Sequence, residues 1–563
     1  MKTSRLIAAL LGVLLFPAPA LAQGVLGAGE DALVLPRGTV RFRLLSEWTQ
    51  WFERYGRGTP GRKDGSVEPL GLDFNLDSIG ASQFENIGPV QANIRTLAGM
   101  PNFNASLGKS ALGLSDQIVS TPLAIEFGLT NRVSLTVTVP LVTATAHADW
   151  RVNPTGLEPT IGFNPTLGAT SALAAIAAIA ANAALLAQFD SAASQLNQRL
   201  AFCGSNPAAT GCGSVNANRA GALALIGNAN TFATGLGQLY GGRNGSTGAF
   251  FVPISGSAAE AAIEAKVAAY RALYSAFGAT AIVGTGPVAA QTMAIGDMQQ
   301  LLTDSTFGVR ARPLATSVTH GIGDIDFALK VNLFDSFHGD TKRRFAPKGF
   351  NWRQSVGGVF RLGTGRLDAP DNFIDLGTGD HQNDVEIRSW TDLLYGSHFW
   401  MSLVARYNVQ MADERVMRIT DSPHQPIAAA YRQETVKRDL GDEFNLEVTP
   451  RWALNDYVGL AGQYSYRRKF SDAYTGRFTV TNLVGEQIAI DAATLDLNTE
   501  AREHRLGLGV TYSTVAAFEQ KKTRVPVEIT YFHTQTTLGS GGSVPKVTLD
   551  RVELRWYWRV FGR

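Results

Sequence analysis

Alternation with a period of two recurs at both ends of the chain, and its most regular instance is a hairpin between Leu123 and Leu141. Leu123, Ile125, Phe127 and Leu129 fall on one side, with Ala124, Glu126 and Gly128 opposite. After the turn at Thr130-Asn131-Arg132, Val133, Leu135, Val137, Val139 and Leu141 share a side against Ser134, Thr136, Thr138 and Pro140. Successive side chains of a strand point to opposite faces, so each arm has one apolar face and one small, polar or charged face. Each arm is about ten residues, the length a tilted strand needs to cross a bilayer. A half-buried sheet in a soluble sandwich alternates in the same way, so repetition of the pattern decides between them.

The pattern repeats. Val40, Phe42, Leu44 and Trp48 alternate with Arg41, Arg43 and Glu47; Ile325, Phe327, Leu329, Val331 and Leu333 alternate with Asp324, Asp326, Lys330 and Asn332. Trp352, Val356, Phe360 and Leu362 are set against Arg353, Ser355, Gly357 and Arg361. Hairpins follow about Tyr395-Gly396-Ser397 and Asn455-Asp456, and the last arms lie near 505–515, 524–533 and 546–561. That is about twelve strands. Connections near 130, 396 and 455 are a few residues long, whereas those at 54–117, 143–320, 363–383, 411–440 and 471–502 are long. Short turns on one rim, long loops on the other and an even strand number are the pattern of an outer-membrane barrel. A soluble sandwich has no reason for apolar faces so continuous. The final arm carries an aromatic stripe (Val552, Leu554, Trp556, Trp558, Val560), but Phe561 falls on the other parity and is followed by Gly562 and Arg563, a departure from the usual terminal aromatic. Trp352, Trp452, Tyr464, Tyr466, Trp556 and Trp558 lie near strand ends, as interfacial girdles do.

Inside the longest connection the chain reads as helices, over 169–200, 218–239, 257–277 and 287–302, where the spacing of Ser257 and Glu260 predicts a capping box. Such helices cannot lie in a barrel wall. The longest apolar run among them, Leu173 to Phe189, is mostly Ala with Asn182 and Gln188, a soluble helix rather than a span. The spanning segments of an integral protein would then be strands, which must close into a barrel to pair every backbone group in lipid.

The N-terminus adds an export signal: Lys2 and Arg5, an apolar stretch from Leu6 to Phe16, then Ala20-Leu21-Ala22 as the cleavage site. The chain has 50 Lys and Arg against 48 Asp and Glu, and the signal removes two basic residues and no acid, leaving 48 against 48. A balanced chain offers no basic excess for nucleic acid. Cys203 and Cys212, nine apart in an exported protein, predict a local disulfide. Asp368, Asp371, Asp375, Asp380 and Asp384 make an acidic loop whose order matches no defined calcium loop, so no metal or other cofactor is assigned. The eight histidines are scattered, and there is no nucleophile elbow or phosphate-binding glycine loop, so no catalytic residue is assigned. His504 and His533 are the one pair that adjacent strands could bring together, the arrangement a barrel hydrolase would need.

Three stretches resemble outer-membrane transporters of the phenol-degradation meta-pathway family. Residues 125–135, from Ile125-Glu126-Phe127-Gly128-Leu129 through the turn, look like that family's Glu-x-Gly-Leu-Thr-Asp-Arg hairpin. Gly321-Ile322-Gly323-Asp324-Ile325 with Leu329-Lys330 resembles its Gly-x-Gly-Asp strand start, and Arg361-Leu362-Gly363-Thr364-Gly365 its Pro-Thr-Gly loop entry, with Leu362 in place of Pro. The resemblance covers the barrel and not the insertion. It implies a barrel that passes small, often hydrophobic compounds.

These readings predict an all-β fold: a transmembrane antiparallel β-barrel of about twelve strands, within ten to fourteen, with a helical loop insertion. The signal peptide occupies 1–22, the barrel 23–563, and the insertion 143–320 on the extracellular side. The interior is expected to hold Arg41, Arg43, Glu126, Arg132, Asp324, Asp326, Lys330, Arg353, Arg361, Arg406, Glu447 and Arg451, with both signs pairing across a narrow lumen. The expected function is an outer-membrane channel or transporter for small solutes, hydrophobic or aromatic ones among them. Its expected partners are outer-membrane lipid and lipopolysaccharide, the solute and the barrel-assembly machinery. The alternatives are a non-conducting surface binding or structural barrel and, behind it, a barrel hydrolase.

Overall fold

The computed structural model describes residues 30–57, 63–153, 159–168, 171–337 and 348–559. The signal sequence and the terminal Phe561-Gly562-Arg563 lie outside these residues. Twelve wall strands form one antiparallel meander: β1 (Thr39–Trp51), β2 (Ser110–Thr130), β3 (Val133–Val152), β4 (two segments, Ser317–Ile322 and Ile325–Asp335), β5 (Phe350–Leu362), β6 (Asp384–Tyr395), β7 (Phe399–Gln410), β8 (Glu443–Ala453), β9 (Val458–Lys469), β10 (Ala501–Ser513), β11 (Val527–Ser540) and β12 (Thr548–Arg559). Each pairs with its neighbour in the chain, and β1 also pairs with β12, Phe42 lying opposite both Ile125 and Trp556. The sheet therefore closes into a barrel and leaves no edge, as a spanning sheet must.

Burial follows the alternation. Phe42, Leu44, Ile125, Leu135, Val137, Phe327, Phe360, Leu506, Leu508 and Trp556 point outward and are exposed, while Arg41, Glu126, Ser134, Asp392, Thr449 and Glu553 on the other parity are buried. An apolar outside and a polar inside reverse the order of a soluble protein and match a wall facing lipid. Near the short-turn rim the outward aromatics include Trp352 stacked on Phe334 at 4.2 Å, and Trp556 with Trp558 at 6.2 Å.

The opening hairpin is longer than its alternation suggests, running from Ser110 to Thr130 and back from Val133 to Val152. Pro122 and Pro140 face each other across it, at the level where β4 breaks at Gly323-Asp324. Neither proline has an N–H to give a ladder, and although the register within the hairpin runs through both, pairing with the flanking strands skips Pro122 on the β1 side and Pro140 on the β4 side, dividing a lower half of bilayer length from an upper half that rises beyond it. The upper half ends in Leu112 and Trp150, which belong to the core of a helical cap, with Trp150 Nε1 donating to Ser110 Oγ at 2.7 Å.

The cap is built on α1 (Ile87–Ala98), α2 (Ala172–Ser205), α3 (Arg219–Tyr240), α4 (Ala258–Ala276) and α5 (Ile295–Thr303). Of these, α1 comes from the β1–β2 connection and was not foreseen. Residues 287–294, expected to be helical, are instead extended, and Ala290 bridges Ile254. Ser257 caps α4, its Oγ accepting from Glu260 N at 3.2 Å, but the Glu260 carboxylate turns back to Gly256 N rather than to the cap residue. By length and composition α2 alone among the described helices could cross a membrane. Here its Leu185, Leu186, Phe189 and Leu196 pack into the cap core. Cys203 and Cys212 form the expected disulfide, closing the loop after α2.

Candidate functional site

Residues Glu30 to Arg37 form a strap that lies inside the barrel. At the short-turn rim Arg37 N donates to Asn131 Oδ1 at 3.0 Å, and Gly38 N to Gly128 O at 2.9 Å. From there the strap climbs across the interior, bonding one wall strand after another. Leu35 N donates to Ser134 Oγ (3.0 Å), and Ala32 N to Asp392 Oδ2 (3.1 Å). Ser355 Oγ and Lys330 Nζ donate to the carbonyls of Ala32 and Asp31 at 2.6 and 2.7 Å. The Glu30 carboxylate receives Trp390 Nε1 (2.5 Å) and Arg388 Nη1 (3.0 Å), with Arg406 Nη2 at 3.6 Å. Ala32, Val34 and Leu35 are buried, so an irregular segment with no partner strand satisfies its backbone on inward side chains.

Around the strap the inward residues pair across strands. Arg41 forks onto Glu126, Arg353 reaches Asp392 at 2.7 Å, and Asp392 also accepts from Ser402 Oγ at 2.6 Å, which Arg451 in turn donates to at 2.8 Å. Arg555 bridges Glu528 and Glu553, the latter shared with Arg43. Lys330 also sits 4.3 Å over the Trp390 ring. A charge removed from water is tolerated when paired and hydrogen-bonded, and removing one member of such a pair typically costs about 3–5 kcal/mol.

Above the strap the interior widens into a cavity of about 470 Å³, with Glu30 on its floor. Arg43, Arg406, Arg467, Arg505 and Arg551 border it, together with Glu447, Glu503, Glu553 and the apolar Leu45, Phe532 and Leu549. Phe532 lies over Gly507 and Gly509, where a Cβ would come within 2.4 and 2.1 Å of the Thr534 methyl and the Phe532 ring, respectively. Glycine lets this aromatic lie flat on the wall.

Toward the long-loop rim Arg361 holds Asp326 (2.9 Å) and Asp384 (3.4 Å). Asp324 Oδ1 accepts from Gly365 N at 2.7 Å and Oδ2 from Asp380 N at 3.1 Å, while Thr364 Oγ1 donates to Gly323 O at 2.7 Å. The acidic loop has no shared centre: Asp368 pairs with Arg415, Asp371 with Arg312, and Asp375 with the hydroxyls of Ser317 and Thr319. Among the described residues no group of three His, Cys, Asp or Glu is placed to hold a metal ion.

The sequence-derived interior residues therefore face inward or lie at the upper rim, with one exception. Arg132 lies exposed in the two-residue turn, where the chain has left the alternating strand. His504 and His533 do not meet. They stand out of register, opposite Leu538 and Leu508, and each has its own partner, Tyr464 Oη at 2.8 Å and Asp550 Oδ1 at 2.8 Å. The sequence reasoning missed the strap and the face of β6 that carries Glu386, Arg388, Trp390 and Asp392. That face alternates from Asp384 to Leu394 and was there to be found.

The geometry defines a closed twelve-stranded barrel with an apolar exterior, an ion-paired interior, an internal strap and a capped mouth. No family model matches the chain, and no curated protein matches it by sequence. Among solved structures it is similar to an outer membrane channel from Pseudomonas putida F1 (8% identity, 94% of this chain and 99% of that one, TM-score 0.40). It is also similar to the Pseudomonas putida toluene transporter TodX (10% identity, 97% and 99%, TM-score 0.24) and the translocator domain of the autotransporter NalP from Neisseria meningitidis (6% identity, 93% and 89%, TM-score 0.26).

Proposed function

We propose that this chain is an outer-membrane channel for small solutes, closed toward the short-turn rim by its own N-terminal strap. The observation that carries the reading is the strap beneath a 470 Å³ cavity, inside a wall whose outer face is apolar. The short-turn rim is periplasmic and the helical cap stands on the extracellular side, as in barrels of this design. Lipid and lipopolysaccharide meet the outward belt, the barrel-assembly machinery inserts the chain, and an N-terminal signal peptide exports it. The three motifs that resemble the phenol-degradation meta-pathway family support this: one holds the strap at Gly128 and Asn131, and the other two join at Asp324 and Gly365.

The rival is a binding or structural barrel with a sealed lumen, favoured by the number of strands the strap ties together. Planar-bilayer recording separates them. The intact protein is expected to show small, intermittent conductance, and a variant lacking 23–37 a larger and steadier one. Silence from both, with each shown to be folded, would establish the sealed barrel instead.

A further inference from the structure

The arginines around the cavity are not spent on their partners. Arg551 binds Glu47 through Nε alone, and Arg43 binds Glu553 through Nε alone. Arg505 uses Nε and Nη2 on Glu503, and Arg406 uses Nη2 on Glu447. The remaining N–H groups of these four have no hydrogen-bond partner among the described residues, and none is among the buried, unsatisfied atoms, whereas Arg41 Nη1 and Arg353 Nε lower in the barrel are. They open onto the cavity. Three of the acids lie deepest. Arg467, Arg505 and Arg551 keep 35, 32 and 33% of their side chains exposed and Arg43 and Arg406 keep 21 and 18%, against 9, 2 and 4% for Glu447, Glu503 and Glu553. Glu30, Glu47 and Glu443 are intermediate at 28, 20 and 19%. The wall is nearly balanced in charge, but its three most exposed charged side chains are the guanidinium groups of Arg467, Arg505 and Arg551.

Resting on the channel reading above, we infer that this cavity selects small organic anions, carboxylates with a compact apolar body. Guanidinium forks match the carboxylate in shape and charge, and rings of arginine are how pores favour anions. Leu549, half-buried, gives the apolar body a small patch to lie on, backed by the buried Leu45 and Phe532. A neutral hydrocarbon would have to strip water from five guanidinium groups and four carboxylates with nothing to replace it, a cost that burial of its own surface does not offset. The volume lies within the range of small-molecule sites, about 300–1,000 Å³.

The test is the reversal potential in planar bilayers across a potassium chloride gradient, then with benzoate replacing chloride, for the intact protein and the variant lacking 23–37. The expected result is anion preference, current carried by benzoate, and no effect of toluene on that current. The double variant Arg505→Gln with Arg551→Gln should lose anion preference several-fold, its folding checked by heat-shifted migration in gels. Should it fail to fold, the potential of the unmodified protein decides. Cation preference, no preference, or a folded double variant with unchanged preference overturns this inference and leaves the channel standing. Absence of conductance from either form overturns the channel reading, and this one with it.

Discussion

Gly128 faces the strap with only its α-hydrogens. A Cβ there would stand 2.1 Å from the Pro36 carbonyl oxygen and 2.8 Å from that of Leu35, both backbone atoms that cannot turn aside. Its φ is not positive, so the glycine is needed for close approach rather than for backbone freedom. Gly128→Val is therefore expected to push the strap off the wall without unfolding the barrel, because the ladder of β2 does not depend on that side chain. The measurement is limited trypsin digestion in detergent: cleavage after Arg37 should become fast in the variant. Gly462→Ala, where a Cβ meets only Pro450 at 3.6 Å, serves as the control and should digest like the parent. Equal protection of all three proteins would mean that the strap is held from elsewhere.

Among the elements, the wall strands were legible because each has one face that lipid forces to be apolar, and period two records that face directly. The hairpin ends were not. Residues 110–117 and 144–152 rise above the apolar belt into the cap, where the alternation changes parity: Ala144, Ala146 and Trp150 are buried while His147, Asp149 and Arg151 stand exposed. The strap was illegible for another reason: apart from the Glu30 carboxylate, its bonds to the wall run through its backbone, which leaves no side-chain period to see. Helix α1 is short, begins without a capping side chain, and buries Ile87, Val90, Ile94 and Leu97 against elements distant in sequence. Most of the interior charges could be named from parity alone, but not their pairings, which depend on register and on the unseen face of β6. The disulfide was visible from spacing, and its effect belongs to the same scale. Cys203 and Cys212 lie buried in the cap core, and the loop they close stabilises by about 2–3 kcal/mol in the chain-entropy account. Cys203→Ser with Cys212→Ser is expected to speed hydrogen exchange in α2 and α3 while leaving the wall strands protected. Uniform acceleration of cap and wall would show the two to be one cooperative unit.

For the whole molecule, what matters is which side of the wall is wet. Val137 lies in the lower half of β3, six residues beyond the turn at Asn131, and pairs with Phe327 of β4, both side chains pointing outward. If lipid covers this face, the midpoint of the crossing falls close to Val137, and an arginine there must carry its charge into hydrocarbon. The cost for arginine or lysine at a bilayer midplane in such barrels is about 2–4 kcal/mol, and it falls toward zero at the interfaces. Val137→Arg is therefore expected to lower folding stability in lipid vesicles by that amount. Val133→Arg, beside the turn, should cost little. In detergent, whose headgroups and water approach more closely, the two should differ less. The gradient along one face is the informative quantity, because a soluble sheet would penalise both positions according to packing and would not distinguish vesicles from detergent. Urea titration of folding into vesicles measures it, and equal destabilisation at 133 and 137 would remove the membrane from this face.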